Sequence, residues 1–299
     1  MRRLGLALAC LAIALGGCGG EDGTATTATS EVAVPWVDPD GDPPIVGSLT
    51  VNPADESLFM GTNTGLFRIA EGASEPEKLT GRLNTPDGSG KVSESLVVRF
   101  TGPDKLLGSG HPSEGQTLPP QLGLIRSEDA GATWSPVSEL GTADFHAIEP
   151  AGDTLVAALF QQPQVLVSTD DGRTWETRAA PMSVVSLEVD PSDPRRWVGS
   201  TEQGLFVSRD AGASWRPSDP TPNVRLAWSE GGELYRVDPG GPVKVSTDGG
   251  EKWEDRGTTG GEPQAMAADR ETVYVALIDG TVKRSTDGGQ TFTDLVKGG

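Results

Sequence analysis

Short runs of alternating apolar and polar residues, separated by Gly, Pro and Asp, make up most of this chain. One stretch of about forty residues holds four such runs, at Val184–Val189, Arg196–Gly199, Gly204–Ser208 and Trp215–Arg216. Alternation with a period of two, bounded by turn residues, predicts short β-strands. We therefore expect this stretch to form four antiparallel strands.

The same stretch contains an eight-residue motif that recurs at intervals of 38 to 41 residues. Its pattern is Ser-x-Asp-x-Gly-x-Thr/Ser-Trp, with Lys252 or Phe292 as single departures. The motif aspartates are Asp129, Asp170, Asp210, Asp248 and Asp287, and the closing aromatic residues are Trp134, Trp175, Trp215, Trp253 and Phe292. An Asp that accepts backbone N–H groups and a Gly at positive φ are typical of a tight hairpin. The aspartates are therefore predicted to be structural.

A four-stranded repeat of forty residues is typical of a β-propeller blade. The pattern predicts an all-β, six-bladed propeller of four-stranded antiparallel blades, the first blade without the motif. The blades are expected near Val46–Thr80, Ser95–Val137, His146–Thr177, Val184–Pro217, Val224–Arg256 and Pro263–Val296. Seven blades would need one more from residues 31–44, which are too few; Val32–Trp36 is expected at most to add a strand that helps to close the ring.

The N-terminus predicts export. Arg2 and Arg3 precede the apolar run Leu4–Leu15, which is too short to span a bilayer and is typical of a signal peptide. The run ends before Cys18, in a small-small-Cys sequence that resembles the lipobox of bacterial lipoproteins. This resemblance implies a signal peptide over 1–17, a lipidated Cys18 with a flexible tether over 18–44, and a propeller over 45–299. An ordinary secretory peptide with an incidental cysteine is the alternative.

The amino-acid composition limits the classes of ligand and partner that we expect. The net charge of −19 disfavours nucleic acid, since it repels phosphates. The two cysteines are Cys10 and Cys18, so the mature domain would have no disulfide and no thiol ligand. No phosphate or cofactor fingerprint is present, so we expect no cofactor, and no metal site is assigned. The expected partners are the membrane, through Cys18, and a protein or carbohydrate ligand of a monomeric domain.

Both histidines fall where the repeat is interrupted. His111 lies in a long Gly- and Pro-rich connection that also holds Glu114, and His146 follows Asp144 at the junction of the second and third blades. These four residues are candidates for a general acid/base pair or a partial metal site. The structural alternative is that His146 starts an inner strand while His111 holds its loop in place.

The motifs resemble those of the BNR or Asp-box propellers, a group that includes sialidases, sortilin/Vps10 receptors, xyloglucan hydrolases and photosystem II assembly factors. The resemblance is nearer to exported bacterial proteins labelled glycosyl-hydrolase-like or sialidase-like. It implies a fold rather than an activity. Sialidase chemistry requires a channel-lining Tyr, whereas Tyr235 and Tyr274 lie within predicted second strands, and Phe67–Ala70 lacks the proline of the sialidase arginine motif.

Three functions therefore stand at this stage. The first is a membrane-anchored, non-catalytic binding or assembly module. The second is a glycoside hydrolase, sialidase-like or with two carboxylates, acting on the channel face between the second and third blades. The third is a metal-binding surface protein.

Overall fold

The computed structural model of the chain describes residues 41–113, 115–159 and 161–298. All regular secondary structure in these ranges is β-strand. Residues 1–40 lie outside these ranges; they comprise the predicted signal peptide and most of the predicted tether, including Cys18 and the proposed closing strand Val32–Trp36. Glu114 also lies outside them. In the described part of the chain there is no helix of the length and apolar character needed to cross a membrane.

Five sheets of four antiparallel strands form the blades, each in strand order from the ring centre outward. Blade A consists of β1 Val46–Val51, β2 Leu58–Thr62, β3 Gly65–Ile69 and β4 Glu77–Leu79. Blade B consists of β10 Phe145–Ala151, β11 Thr154–Leu159, β12 Gln164–Ser168 and β13 Glu176–Ala179. Blade C consists of β14 Ser186–Val189, β15 Trp197–Thr201, β16 Gly204–Ser208 and β17 Arg216–Asp219.

The last two blades follow the same plan. Blade D consists of β18 Arg225–Trp228, β19 Leu234–Val237, β20 Pro242–Ser246 and β21 Glu254–Thr258. Blade E consists of β22 Pro263–Asp269, β23 Thr272–Leu277, β24 Val282–Ser285 and β25 Thr293–Val296. The innermost strands of the five blades face one another around a central cavity.

The expectation of six four-stranded blades is wrong. Between blades A and B the chain forms a closed unit of five strands: β5 Gly81–Thr85, β6 Gly88–Gly102, β7 Lys105–Pro112, β8 Leu124–Ser127 and β9 Thr133–Ser138. β5 pairs with β6 and also, in parallel, with β9, through Arg82–Thr133 and Leu83–Trp134. The hairpin at residues 81–92 was not expected from the sequence, and it converts an open sheet into a closed one.

Side chains of the innermost strands connect each sheet to the next. The hydroxyl of Ser48 accepts a hydrogen bond from the Val98 backbone N–H at 2.9 Å, and that of Ser186 accepts one from Leu226 at 3.2 Å. On β7, which is not an innermost strand, the hydroxyl of Ser109 accepts a hydrogen bond from the Phe145 backbone N–H at 3.1 Å. A polar side chain near the ring centre is thus satisfied by the edge of the neighbouring sheet, as buried polar groups require.

At the outer rim the motif hairpins make a second set of contacts between neighbours. The outermost strand of one sheet donates to a backbone carbonyl in the next hairpin: Ser138 to Gly172, Arg178 to Ala211, Ser218 to Gly250 and Gly257 to Gly289. These bonds recur at four successive junctions. The motif therefore shapes its own hairpin and also joins consecutive sheets.

Candidate functional site

A central cavity of about 540 Å³ opens along the ring axis. Apolar side chains of the innermost strands form much of its wall, among them Leu49, Val98, Leu187, Leu226 and Met266. No Phe, Tyr or Trp lines the cavity in the described part of the chain. Cavities of this volume are typical of ligand sites, which makes this one the candidate functional site.

One end of the cavity is open, and its lining residues come from the starts of innermost strands and from turns between second and third strands. We call this end the channel mouth and define it by Ile45, Asn63, Gln161, Val185 and Glu202. Ile45 is 62% exposed and Val185 38% exposed. Large apolar side chains held in water beside a cavity are typical of a surface that contacts a partner.

Deeper in the cavity, one arginine bridges two glutamates from different sheets. Arg99 on β6 donates through Nη2 to Glu149 on β10 and, at 3.1 Å, to Glu188 on β14. Glu188 also accepts a hydrogen bond from the Trp228 backbone N–H at 3.0 Å through its other oxygen. The three side chains tie three consecutive sheets together around the axis.

This cluster holds two carboxylates for one guanidinium. The pKa of Glu149 is raised to about 8, chiefly by burial; the charge of Arg99 opposes this rise and the charge of Glu188 adds to it. Burial likewise raises the pKa of Glu188. A proton on Glu149 leaves one positive and one negative charge in the cluster, which is the arrangement that a buried site favours.

A second arginine lines the cavity without such a partner. Arg225 on β18 donates through Nε to the backbone oxygen of Gln264 at 2.6 Å. Its Nη1 is buried and has no hydrogen-bond partner among the described residues. Burial lowers the pKa of Arg225, and the carboxylate that opposes this effect, Glu262, itself accepts a hydrogen bond from Gly240.

The structure brings three of the four sequence candidates together. His146 Nε2 lies 3.0 Å from Asp144 Oδ2, and His111 Nε2 lies 3.5 Å from the same oxygen. The pKa of Asp144 is lowered, chiefly by the hydrogen bond from His146, while partial burial opposes the effect. His146 also lines the cavity, so the cluster borders the channel mouth. Glu114 lies outside the described residues.

His111 is occupied at both ring nitrogens. Its Nδ1 lies 2.6 Å from the backbone oxygen of Pro120, while Nε2 faces Asp144. Because the Pro120 carbonyl oxygen can only accept, Nδ1 is the donor in this hydrogen bond. This geometry holds the Pro-rich connection against the ring and corresponds to the structural alternative for His111. No group of three or more potential ligands arranged for a metal occurs within the described ranges.

The motif aspartates lie at the outer hairpins, away from the cavity. Asp170 accepts hydrogen bonds from the Thr174 backbone N–H at 2.9 Å, the Thr174 hydroxyl at 2.7 Å and the Ser168 hydroxyl at 2.8 Å. These bonds lower the pKa of Asp170 to about 2. Four of the five aspartates have a complete set of this kind: Asp129, Asp170, Asp210 and Asp287. Asp248 lacks the hydroxyl bond because Lys252 replaces the Thr.

The closing aromatic residues sit against these hairpins. Trp134 is 1% exposed and donates to the Gly131 backbone oxygen at 2.9 Å, while Trp175 donates to the Ser138 hydroxyl at 3.0 Å. Trp253 lies under the guanidinium of Arg236, 4.7 Å from ring centre to Cζ. Trp215 packs edge-on against the buried Trp197, and Phe292 packs against the apolar cluster shared by blades D and E.

Sequence reasoning missed the charged residues of the cavity. Arg99, Glu149 and Glu188 each interrupt an apolar innermost strand, in three consecutive repeats. That recurrence was a usable signal, because an ionisable residue amid buried apolar neighbours requires a partner. Tyr235 and Tyr274 are buried within β19 and β23 and do not line the cavity.

Comparisons with known proteins show what the chain is similar to. No family model matches it. It is 32% identical over 210 residues to the dispase autolysis-inducing protein of Streptomyces mobaraensis, covering 58% of this chain and 54% of that protein. It is also 32% identical over 143 residues to a xyloglucanase of Paenibacillus sp, covering 43% of this chain and 13% of that enzyme. The chain thus spans about half, or far less, of the curated relatives that it matches.

Two solved structures give the fold. An ancestral GH74 enzyme superposes with a TM-score of 0.52 at 18% identity, covering 86% of this chain and 38% of that one. YCF48 bound to D1 peptide superposes with a TM-score of 0.50 at 16% identity, covering 85% and 82%. Identities this low establish architecture alone. The comparisons therefore support a β-propeller fold, with one neighbour named as an enzyme and another as a peptide-bound protein.

Proposed function

We propose that this chain is an exported, lipid-tethered propeller that binds a partner at the channel mouth without transforming it. The observation that carries the proposal is an open cavity of about 540 Å³ whose rim presents Ile45 and Val185 to solvent. Burial of such side chains against a partner supplies about 25 cal/mol per Å² of apolar surface. The tether at Cys18 would keep this surface at the outer face of the membrane.

The arrangement of the cavity carboxylates supports binding rather than hydrolysis. A two-carboxylate glycosidase requires two acidic groups that face a glycosidic bond across an open gap. Here Glu149 and Glu188 both bind the guanidinium of Arg99, which occupies the space between them. The pair therefore joins sheets and leaves no room for a sugar oxygen.

The choice of partner follows from the lining. Sugar rings are commonly held by stacking on Trp, Tyr or Phe side chains, and none of these residues is in the described lining. Aliphatic walls with backbone and amide groups at the rim match a peptide segment better. We therefore infer a protein partner, with a glycan as the competing outcome of the test.

The second candidate function is a glycoside hydrolase. One observation favours it: Glu149, with its pKa raised to about 8, carries a proton at neutral pH, as a general acid does. The names of the Paenibacillus relative and of the GH74 structure are consistent with it. The Arg99 bridge argues against it.

Arrays of glycans and of random peptides, probed with the purified protein, test the proposal. We expect peptide binding that is lost in the Ile45→Asp/Val185→Asp variant and retained in Ile278→Asp. Ile278 is a matched control, since it is 60% exposed and does not line the cavity. Binding that survives the double substitution at the mouth, with the fold intact by circular dichroism, would contradict the proposed surface.

A chromogenic-glycoside and xyloglucan screen tests the alternative. The His111→Ala/His146→Ala and Glu149→Gln variants run beside the parent protein. Hydrolysis that disappears in either folded variant would replace the binding proposal with the enzyme, and an absence of hydrolysis in all three would support binding.

A further inference from the structure

The guanidinium of Arg225 stands apart from the other charges of the cavity. Arg99 has two carboxylate partners, whereas Arg225 holds a neutral backbone oxygen through Nε and leaves Nη1 unsatisfied. An arginine remains charged at physiological pH and has five donors. Leaving such donors unpaired in a partly buried site is unfavourable, so the site favours a ligand that supplies acceptors.

The charge balance of the cavity points the same way. With a proton on Glu149, the pair of Arg99 and Glu188 is neutral and Arg225 contributes a net positive charge. Glu262 is the carboxylate that opposes this charge; it does not line the cavity, and it accepts a hydrogen bond from the Gly240 backbone N–H. Glu202 lies at the rim, where it is exposed and water screens it. Among the described residues that line the cavity, the guanidinium of Arg225 therefore has no carboxylate bound to it, unlike that of Arg99.

The surroundings of Arg225 define the rest of the ligand. Leu226 and Met266 line the cavity beside it, and Ile45 and Val185 stand at the rim. A group that fits would present an anion to Arg225 and aliphatic surface to these walls. Planar carboxylates match the fork of a guanidinium by paired hydrogen bonds.

We propose that the cavity binds a carboxylate carried on an aliphatic group, with Arg225 as the residue that recognises the anion. This inference rests on the proposed binding function and specifies its ligand chemistry. Two sources share that chemistry, a small organic acid and a peptide segment with a free carboxylate.

Four probes separate these sources. Hexanoate and the peptide Ala-Val-Leu-Ala carry the carboxylate, while hexanamide and the C-terminally amidated peptide are their neutral counterparts. Dissociation constants are measured by calorimetry on the purified protein, on Arg225→Met, on Arg225→Lys and on Arg82→Met. Arg82 is an exposed arginine outside the cavity and serves as the matched control.

We expect each acid to bind the parent at least about tenfold more tightly than its amide, and Arg225→Met to lose that difference. Arg225→Lys should keep part of it, and Arg82→Met should keep all of it. The tighter of the two acids identifies the source of the carboxylate.

Equal binding of an acid and its amide, or full retention of the difference in Arg225→Met, would overturn the carboxylate inference while leaving binding at the mouth intact. The carboxylate inference alone would also be overturned if neither acid binds at saturating concentration while the arrays yield a ligand whose binding is lost in Ile45→Asp/Val185→Asp. Failure of every probe and of both arrays would overturn the proposed function as well.

Discussion

The side-chain oxygen of Gln264, in the last blade, accepts a hydrogen bond of 2.5 Å from the backbone N–H of Val46, in the first. The two residues are 218 positions apart. In each of these two blades, the four described strands are consecutive in the sequence. Neither blade therefore contains a described strand from the other end of the chain that would join the two. This bond and the apolar cluster that Val46 shares with Ala265 and Val282 hold the ring closed.

Replacing Gln264 should therefore weaken the closure. Gln264→Ala leaves the Val46 N–H without its acceptor in a part-buried site, and we expect a loss of about 1–3 kcal/mol in the free energy of unfolding. Urea denaturation at pH 7 measures it. Gln162→Ala, at an exposed position, is the control and should change stability by less than about 0.5 kcal/mol. Equal effects of the two substitutions would show that the bond does not close the ring.

Removing the bridging arginine should be more damaging. Arg99→Met leaves Glu149 and Glu188 buried without their cation, and we expect a loss of about 3–5 kcal/mol. Adding Glu149→Gln and Glu188→Gln to the same chain replaces both buried acids by neutral amides and should recover part of that loss. Arg82→Met should be close to neutral. A triple variant less stable than Arg99→Met alone would contradict the electrostatic explanation.

The raised pKa of Glu149 predicts how stability changes with pH. The folded protein keeps a proton up to about pH 8 that the unfolded chain releases near pH 4.5. The contribution of Glu149 is therefore fully present below pH 4.5 and declines as the pH rises toward 8. In urea titrations across this window, the Glu149→Gln variant should show a smaller decline than the parent.

Exposed Glu230 provides the control for this titration, since Glu230→Gln should follow the parent curve. If Glu149→Gln follows it too, Glu149 is ionised in the folded protein at neutral pH.

The lowered pKa values of the motif aspartates predict the opposite pH dependence: their contribution to stability should be lost in acid. Hydrogen bonds lower the pKa of Asp170 and of Asp287 to about 2, below the ordinary value of 3.8. Their contribution is present above pH 3.8 and is lost as the pH falls through the lowered values. Asp170→Asn should reduce the slope of stability between pH 4 and 2. The adjacent Asp171→Asn tests the assignment, because Asp171 makes none of the turn bonds; an equal effect there would contradict it.

The glycine of the Asp170 hairpin is predicted to be essential for contact with the preceding sheet. Gly172 has φ of +80°, and a Cβ there would lie 2.2 Å from Leu124 Cδ2. Gly172→Ala should cost about 2–4 kcal/mol, from backbone strain and overpacking together. Gly152→Ala, at φ +60° with nothing within 4 Å, should show the strain alone, about 1–2 kcal/mol. Thermal and urea unfolding of both variants measures the difference, and equal losses would exclude the contact with Leu124.

The sequence predicted the architecture correctly where the residues that form a hairpin or a sheet all lie within one repeat. The motif around Asp170 encodes its hairpin locally, and the alternating runs beside it encode four strands. The prediction failed between residues 81 and 144. There, strand β5 pairs in parallel with Thr133 and Trp134, some fifty residues away in the sequence. Such a long-range parallel pairing leaves no local period to read.

The candidate site was predicted in part for the same reason. His111, Asp144 and His146 were found because histidine is rare in this chain and the repeat is interrupted there. Their contact depends on loops from neighbouring sheets, as does the meeting of Arg99 with Glu149 and Glu188. The arrangement of the sheets around the ring determines which carboxylates contact the guanidinium of Arg99. The sequence of a single repeat therefore could not predict these contacts.

The proposed function requires the channel mouth to bind a partner and to leave it chemically unaltered. The most direct test incubates each array ligand with an equal amount of the purified protein and follows both its binding and its mass. We predict saturable binding that is lost in Ile45→Asp/Val185→Asp, with the recovered ligand of unaltered mass. A ligand recovered in cleaved form, with cleavage abolished by Glu149→Gln, would contradict the account and identify the channel as an active site.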